Sequence, residues 1–171
     1  MGHIQDNAAE AMLAAIQKLV GKKSSIERSY EDYLDDGTRI SVNIRISAFK
    51  MHIDFSGTGP EMQGNLNAPV AVTKAAVLYV LRTLIDRDIP LNEGCLRPIE
   101  IVIPEGSILN PSKNAAVVGG NVETSQRVVD ALYGALGITA ASQGTMNNFL
   151  FGREDGKGAQ YYETIAGGAG A

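Results

Sequence analysis

Arg39-Ile40-Ser41-Val42-Asn43-Ile44-Arg45-Ile46-Ser47, followed after Ala48-Phe49-Lys50 by Met51-His52-Ile53-Asp54-Phe55, is the stretch that decides the fold. Successive side chains of a strand point to opposite faces. Ile40, Val42, Ile44 and Ile46 therefore share one face, and Arg39, Ser41, Asn43, Arg45 and Ser47 share the other. The second run alternates Met51, Ile53 and Phe55 with Lys50, His52 and Asp54, and the short turn near Ala48 and Phe49 predicts an antiparallel hairpin. His52 falls on the polar face. With no second histidine nearby in sequence, it reads as solvated rather than as a metal ligand.

Upstream, Met12, Leu13, Ile16, Leu19 and Val20 recur at helical spacing, with Asn7 and Glu10 as a capping-box-like pair and Gly21 as the stop, which predicts a helix over 7–20. A second, shorter helix is expected from Ser25 through Tyr33, frayed at its acidic end before a turn at Gly37. Downstream, Asp54 to Pro60 and Gly64 to Pro69 are loops. They have neither the lysine of a P-loop nor the strand–GxGxxG–helix order of a dinucleotide fold. A helix over 71–84 follows Pro69, with Val72, Ala75, Leu78, Tyr79 and Leu81 as its apolar side. Ile99 to Ile103 reads as a buried strand, turned at Pro104-Glu105-Gly106.

The run from Ala115 breaks at Gly119-Gly120-Asn121 and becomes an amphipathic helix that stops at Gly137, with Ser125, Val129, Leu132 and Leu136 on one face. A helical turn is expected over 139–142, and strands at 149–151 and 160–165 around a polar loop at 152–158.

Composition agrees with an α+β domain, an antiparallel-rich sheet with packed helices. The 171 residues are 44% hydrophobic and 20% charged, enough for one compact core. A net charge of -4 with scattered basic residues argues against a nucleic-acid surface. No apolar run approaches the roughly 18 residues that span a bilayer. The single Cys95 excludes an internal disulfide and cysteine-rich zinc patterns and suits a reducing cytoplasm. Only His3 and His52 are available as partner bases, so a structural cysteine after the Asn92-Glu93-Gly94 turn is preferred to a nucleophile.

Chemistry concentrates at the glycine turn. Free N–H groups at a helix start favour an anion, and Asn121, Glu123, Thr124 and Ser125 lie within the first turn. The competing interpretation is that Asn121 or Thr124 caps the helix and the glycines only make a tight turn.

Seven stretches in order carry a resemblance: Asp54-Phe55-Ser56-Gly57-Thr58, Asn65-Leu66-Asn67-Ala68-Pro69, Asn92-Glu93-Gly94-Cys95-Leu96-Arg97-Pro98, Pro104-Glu105-Gly106-Ser107, Gly119-Gly120-Asn121-Val122-Glu123-Thr124-Ser125, Gly144-Thr145-Met146-Asn147-Asn148 and Tyr162-Glu163-Thr164-Ile165-Ala166-Gly167-Gly168. From about Arg39 to Ala171 the chain resembles the hydantoinase B family, which includes the B components of N-methylhydantoinases, the C-terminal half of ATP-dependent 5-oxoprolinase and a related acetone carboxylase component. Members are much longer, so an excised internal piece is expected, with an N-terminal helical segment over 1–37 and a hydantoinase B-like α+β region over 38–171 in one compact unit.

The resemblance implies hydrolytic opening of a small cyclic amide with a hydantoinase A-like subunit or fused domain as partner. The alternatives are the carboxylase branch or a non-catalytic scaffold at a subunit interface. Under it, Glu123 or Glu163 is a candidate general base, and Asp54 a candidate for orienting a partner or a metal supplied from elsewhere. Gly119, Gly120 and Asn121 would offer backbone N–H groups, and Asn121, Thr124, Ser125 and Asn147 hydrogen bonds to substrate. Glu163 has a structural alternative, pairing with Arg127 or Arg153, and Asp54 has one in the Ser-Gly-Thr turn. Asn65 and Asn67 read as fixing their loop. No metal ligand or cofactor is assigned within the chain; ATP on the A part and a divalent metal are expected in the complete enzyme.

Overall fold

The computed structural model describes residues 2–90, 92–153, 155 and 157–168. The expected chain end at Ala169-Gly170-Ala171 and parts of the polar loop at 152–158 lie outside them. Helix α1 spans Gly2–Val20, and Gly21 ends it with φ 61°, donating its N–H to the Gln17 carbonyl at 2.9 Å. Strands β1 (Ser25–Tyr33), β2 (Arg39–Ser47) and β3 (Met51–Asp54) follow, then helix α2 (Val70–Thr83), strand β4 (Ile99–Val102), helix α3 (Thr124–Leu136) and strands β5 (Asn148–Phe151) and β6 (Tyr161–Thr164). The fold is α+β.

The predicted hairpin forms as read, with Ile46 opposite Met51 and Ile44 opposite Ile53. Its apolar face is fully buried: Ile40, Val42, Ile44, Ile46, Met51, Ile53 and Phe55 pack with Met12 and Ile16 of α1 and Val128 and Leu132 of α3. Each such side chain contributes about 2 kcal/mol on burial. The sheet order is β1-β2-β3-β4, with β4 parallel to β3 through the α2 crossover. Strands β5 and β6 form a separate hairpin.

Ser25–Tyr33 is a strand, which corrects the expected second helix. It pairs with β2 along its whole length, Ile26 opposite Ile46 and Tyr30 opposite Val42. Ile26, Tyr30 and Tyr33 happen to recur at helical spacing, but pairing with a strand that needs a neighbour overrides that local pattern. Helix α2 also turns a different face inward. It buries Thr73, Ala76, Val77, Val80 and Leu81 and leaves Ala75 and Tyr79 exposed. A helix apolar nearly all round has no face that periodicity alone can select.

On α3 the buried set is Thr124, Val128, Asp130, Ala131, Leu132 and Ala135, close to one position round from the expected face. Small residues let this helix lie close to the sheet: a Cβ on Gly134 would stand 2.8 Å from the Tyr30 ring. Gly137 terminates α3 with φ 66°. Residues 139–142 are not helical. Ser142 instead donates its N–H and hydroxyl, both at 2.8 Å, to the buried Asp130 carboxylate, which ties the segment to α3.

Candidate functional site

The turn that opens α3 is built on the loop before α2. The buried Asn67 side chain accepts the Met62 N–H at 3.0 Å and donates to the carbonyls of Met62, Gly64 and Ala116 at 2.9, 3.0 and 3.0 Å. One amide thus ties the loop to the segment leading into the turn. Gly119 donates its N–H to the Asn65 carbonyl at 2.8 Å, and Gly120 donates to Val117 at 3.0 Å. A Cβ on Gly119 would meet Leu66 Cδ2 at 2.8 Å. One on Gly120 would collide with the Asn67 carbonyl oxygen and come within 2.8 Å of Ala68 Cα. Glycine is required here because two backbones touch. Thr124 is buried and donates its hydroxyl to the Leu66 carbonyl. The polar groups of Gly119, Gly120 and Thr124 are thus engaged inside the chain.

Glu123 faces the other way. It precedes α3 with no side-chain capping bond, and its Oε1 accepts the Thr145 hydroxyl at 2.8 Å. Oε2 has no hydrogen-bond partner among the described residues. Glu123 and Thr145, with Leu34, Leu66, Arg127 and Gln143, line a concavity of about 470 Å³. Arg127 is fixed against its wall: Nε lies 3.1 Å from Asp32 Oδ2, and Nη2 donates to Asp32 Oδ1 at 3.1 Å and to the Tyr33 carbonyl at 2.6 Å. Asn147 reaches this side through the backbone, donating its N–H to Thr145 Oγ1 at 3.2 Å.

Asn121 and Ser125 open onto a larger groove of about 1000 Å³ between α2 and α3, with Val72, Ala75 and Tyr79 on the facing wall. The Ser125 hydroxyl donates to the Asn121 carbonyl at 2.7 Å. Asp130 lines the same groove and was not singled out by its sequence context; its one signal is a carboxylate among the apolar residues of α3.

The remaining candidates stand apart. Asp54 lies on the polar face of β3, in register with Asn43, and accepts the Ser56 N–H at 2.7 Å. Burial works to raise its pKa, but the Ser56 hydrogen bonds, with His52 and Arg45, outweigh it and hold the carboxyl below its ordinary range. Glu163 is on the exposed β5–β6 hairpin, where Oε2 accepts the Tyr161 hydroxyl at 2.6 Å and pushes that phenol's pKa up. The arginines weighed as its partners are committed elsewhere, Arg127 to Asp32 and Arg153 to Asp155. Among the described residues no three His, Cys, Asp or Glu side chains come together to hold a metal ion. Cys95 is free and fully buried. No helix among the described residues is long and apolar enough to cross a membrane.

The fold and turn define a class: an α+β module with a sheet covered by helices, and a glycine-led helix start with one packed and one open side. Residues 1–171 match the family described as Hydantoinase B/oxoprolinase, and the chain belongs to that family. It is 50% identical over its full length to 5-oxoprolinase 1 of Arabidopsis thaliana and 47% identical to 5-oxoprolinase of Saccharomyces cerevisiae, spanning 14% of each. The B component of a putative D-/L-hydantoinase from a Pseudomonas species is 31% identical across 76% of the chain and 24% of its own length. The crystal structure of the ATP-dependent caprolactamase from Pseudomonas jessenii shares the fold. Its TM-score is 0.72 at 19% identity, over 94% of this chain and 29% of that one.

Proposed function

We propose that this chain is one section of the B part of an ATP-dependent cyclic amidase of the hydantoinase/5-oxoprolinase type, contributing a wall of the site where the ring is opened. The observation that carries this reading is the similarity, near 50% along the whole chain, to proteins named 5-oxoprolinase. A hydantoinase A-like subunit or fused domain is the partner. The unpaired Cys95 suits a reducing cytoplasm.

A ring amide is resonance-stabilised, and an A part using ATP would supply a phosphorylated amide oxygen that removes this resonance; water adds to the activated carbon, the C–N bond breaks as the nitrogen takes a proton, and a second water hydrolyses the resulting acyl phosphate to carboxylate and phosphate. The B part must then orient water against the activated carbonyl carbon. Glu123 suits the general base: one carboxylate oxygen is anchored by Thr145 and the other faces a concavity, free to take the proton of an attacking water. Asn121 and Ser125, on the groove between α2 and α3, supply hydrogen bonds to the part of the substrate that reaches it, while Gly119, Gly120 and Thr124 hold the turn and Asn147, its N–H given to Thr145, holds the neighbouring loop. Asp54 and Glu163, on the outer sheet face and the separate hairpin, serve local structure in this scheme.

The test is ring opening by the full-length protein carrying this chain, mixed with its A partner and ATP. Ring-opened acid from 5-oxoproline or hydantoin is expected, and no opening of either ring refutes the proposal. Ketone and bicarbonate should give no acid product; a carboxylated product would move the assignment to the carboxylase branch. The 171-residue chain alone should bind no ATP by calorimetry, and micromolar binding would overturn that expectation. A scaffold role is the second reading, favoured by the engagement of Gly119, Gly120, Thr124 and Asn67 in loop-to-loop bonds.

A further inference from the structure

We infer that Thr145 is the positioning residue of Glu123, and that the left-handed backbone of Asn147 is the device that sets Thr145 in place. This rests on Glu123 acting as the base. Glu123 is half-buried at the mouth of a concavity, with no capping bond to hold its flexible side chain. A base left in this state would sample many rotamers, and orientation is a large part of what a positioned base contributes. The Thr145 hydroxyl removes that freedom by donating to Oε1 at 2.8 Å, which leaves Oε2 for the ligand.

The hydroxyl is itself oriented. It carries one proton, and a lone pair accepts the Asn147 N–H at 3.2 Å, so the proton goes to the carboxylate. Asn147 has φ 52°, the one positive value at a non-glycine among the described residues. Asparagine tolerates that region where β-branched residues do not. The segment is pinned on both sides: Met146 donates its N–H to the Val122 carbonyl at 3.1 Å, and Ile165 donates to the Asn147 carbonyl at 3.0 Å. The first bond joins it to the residue immediately before Glu123. Two backbone bonds and one left-handed residue therefore fix the segment from which the Asn147 N–H reaches the hydroxyl beside the carboxylate.

The experiment uses the full-length protein with its A partner, ATP and 5-oxoproline or hydantoin. Thr145→Val should lower kcat about tenfold with KM changed less than about twofold, because the base is misoriented while substrate contacts remain. Thr145→Ser should restore kcat to within about threefold of wild type, since it returns the hydroxyl. Thr145→Ala is the second hydroxyl-free variant and should match Thr145→Val. Asn147→Gly, which accepts the positive φ, should stay near wild type on the backbone argument, and Asn147→Val should fall with Thr145→Val.

The decisive readout is coupling: Glu123→Gln/Thr145→Val should be no slower than Glu123→Gln alone, because the hydroxyl acts only through the carboxylate. If Glu123→Gln itself leaves turnover intact, the base assignment fails. If Glu123→Gln is slow but Thr145→Val and Thr145→Ala are at wild-type rate, or the double variant is slower still by the full Thr145 effect, the positioning role fails and the base assignment stands.

Discussion

Gly120 and Glu123 are three residues apart on one turn and face opposite environments. Gly119 and Gly120 press against the backbone of 65–68 and have their N–H groups bonded within the chain. Glu123 leans into a concavity with one carboxylate oxygen unbonded among the described residues. The difference teaches that a motif rich in glycine and polar residues is not uniformly a ligand site. Its first half joins two loops by close approach, and that rigid junction is what aims its second half.

If the closed side is structural, its variants should lose stability without a specific effect on chemistry. Asn67→Ala should have the largest effect, about 3 kcal/mol in chemical denaturation, because four hydrogen bonds vanish and buried carbonyls are left without donors. Gly120→Ala should follow at about 2 kcal/mol, since the new methyl meets backbone atoms that cannot swing aside. A loss below about 0.5 kcal/mol in either would break the contrast by showing that the junction is loose.

The smallest effect belongs to Asp54, distant from both sides of the turn. Its folded-state pKa is lowered, so its contribution to stability is present above the unfolded value and is lost as pH falls through the folded one. Asp54→Asn should therefore lose a small amount of stability at neutral pH, a difference that shrinks below about pH 4 and vanishes once Asp54 is protonated, as followed by circular dichroism in acid titration. A marked loss at neutral pH would mean Asp54 has a partner beyond the Ser56 turn.

Much of this arrangement was legible from the residues. The strict alternation of Ile40, Val42, Ile44 and Ile46 against polar neighbours admits only a strand with one buried face, and Gly21 and Gly137 mark helix ends through a backbone geometry that glycine favours. Strand β1 was not legible because its only aliphatic is Ile26, and its conformation comes from β2 rather than from its own pattern. The buried face of α2 was hidden by apolar residues on all sides.

At the site, the cluster of Asn121, Glu123, Thr124 and Ser125 was visible, but its division between a packed side and two concavities depends on contacts with residues 58 positions earlier or 22 later. Thr145 stands in the sequence only within the Gly144–Asn148 stretch and Arg127 only as an alternative partner of Glu163; their contacts with Glu123 and Asp32 arise from the fold.

The central claim is that the open side of the turn carries the chemistry. The most direct measurement is steady-state ring opening by the full-length Glu123→Gln protein with its A partner and ATP, with thermal unfolding recorded in parallel. A fall in kcat of about a hundredfold with an unchanged melting temperature is the predicted result. Wild-type turnover would contradict it and leave the turn a structural junction on both sides.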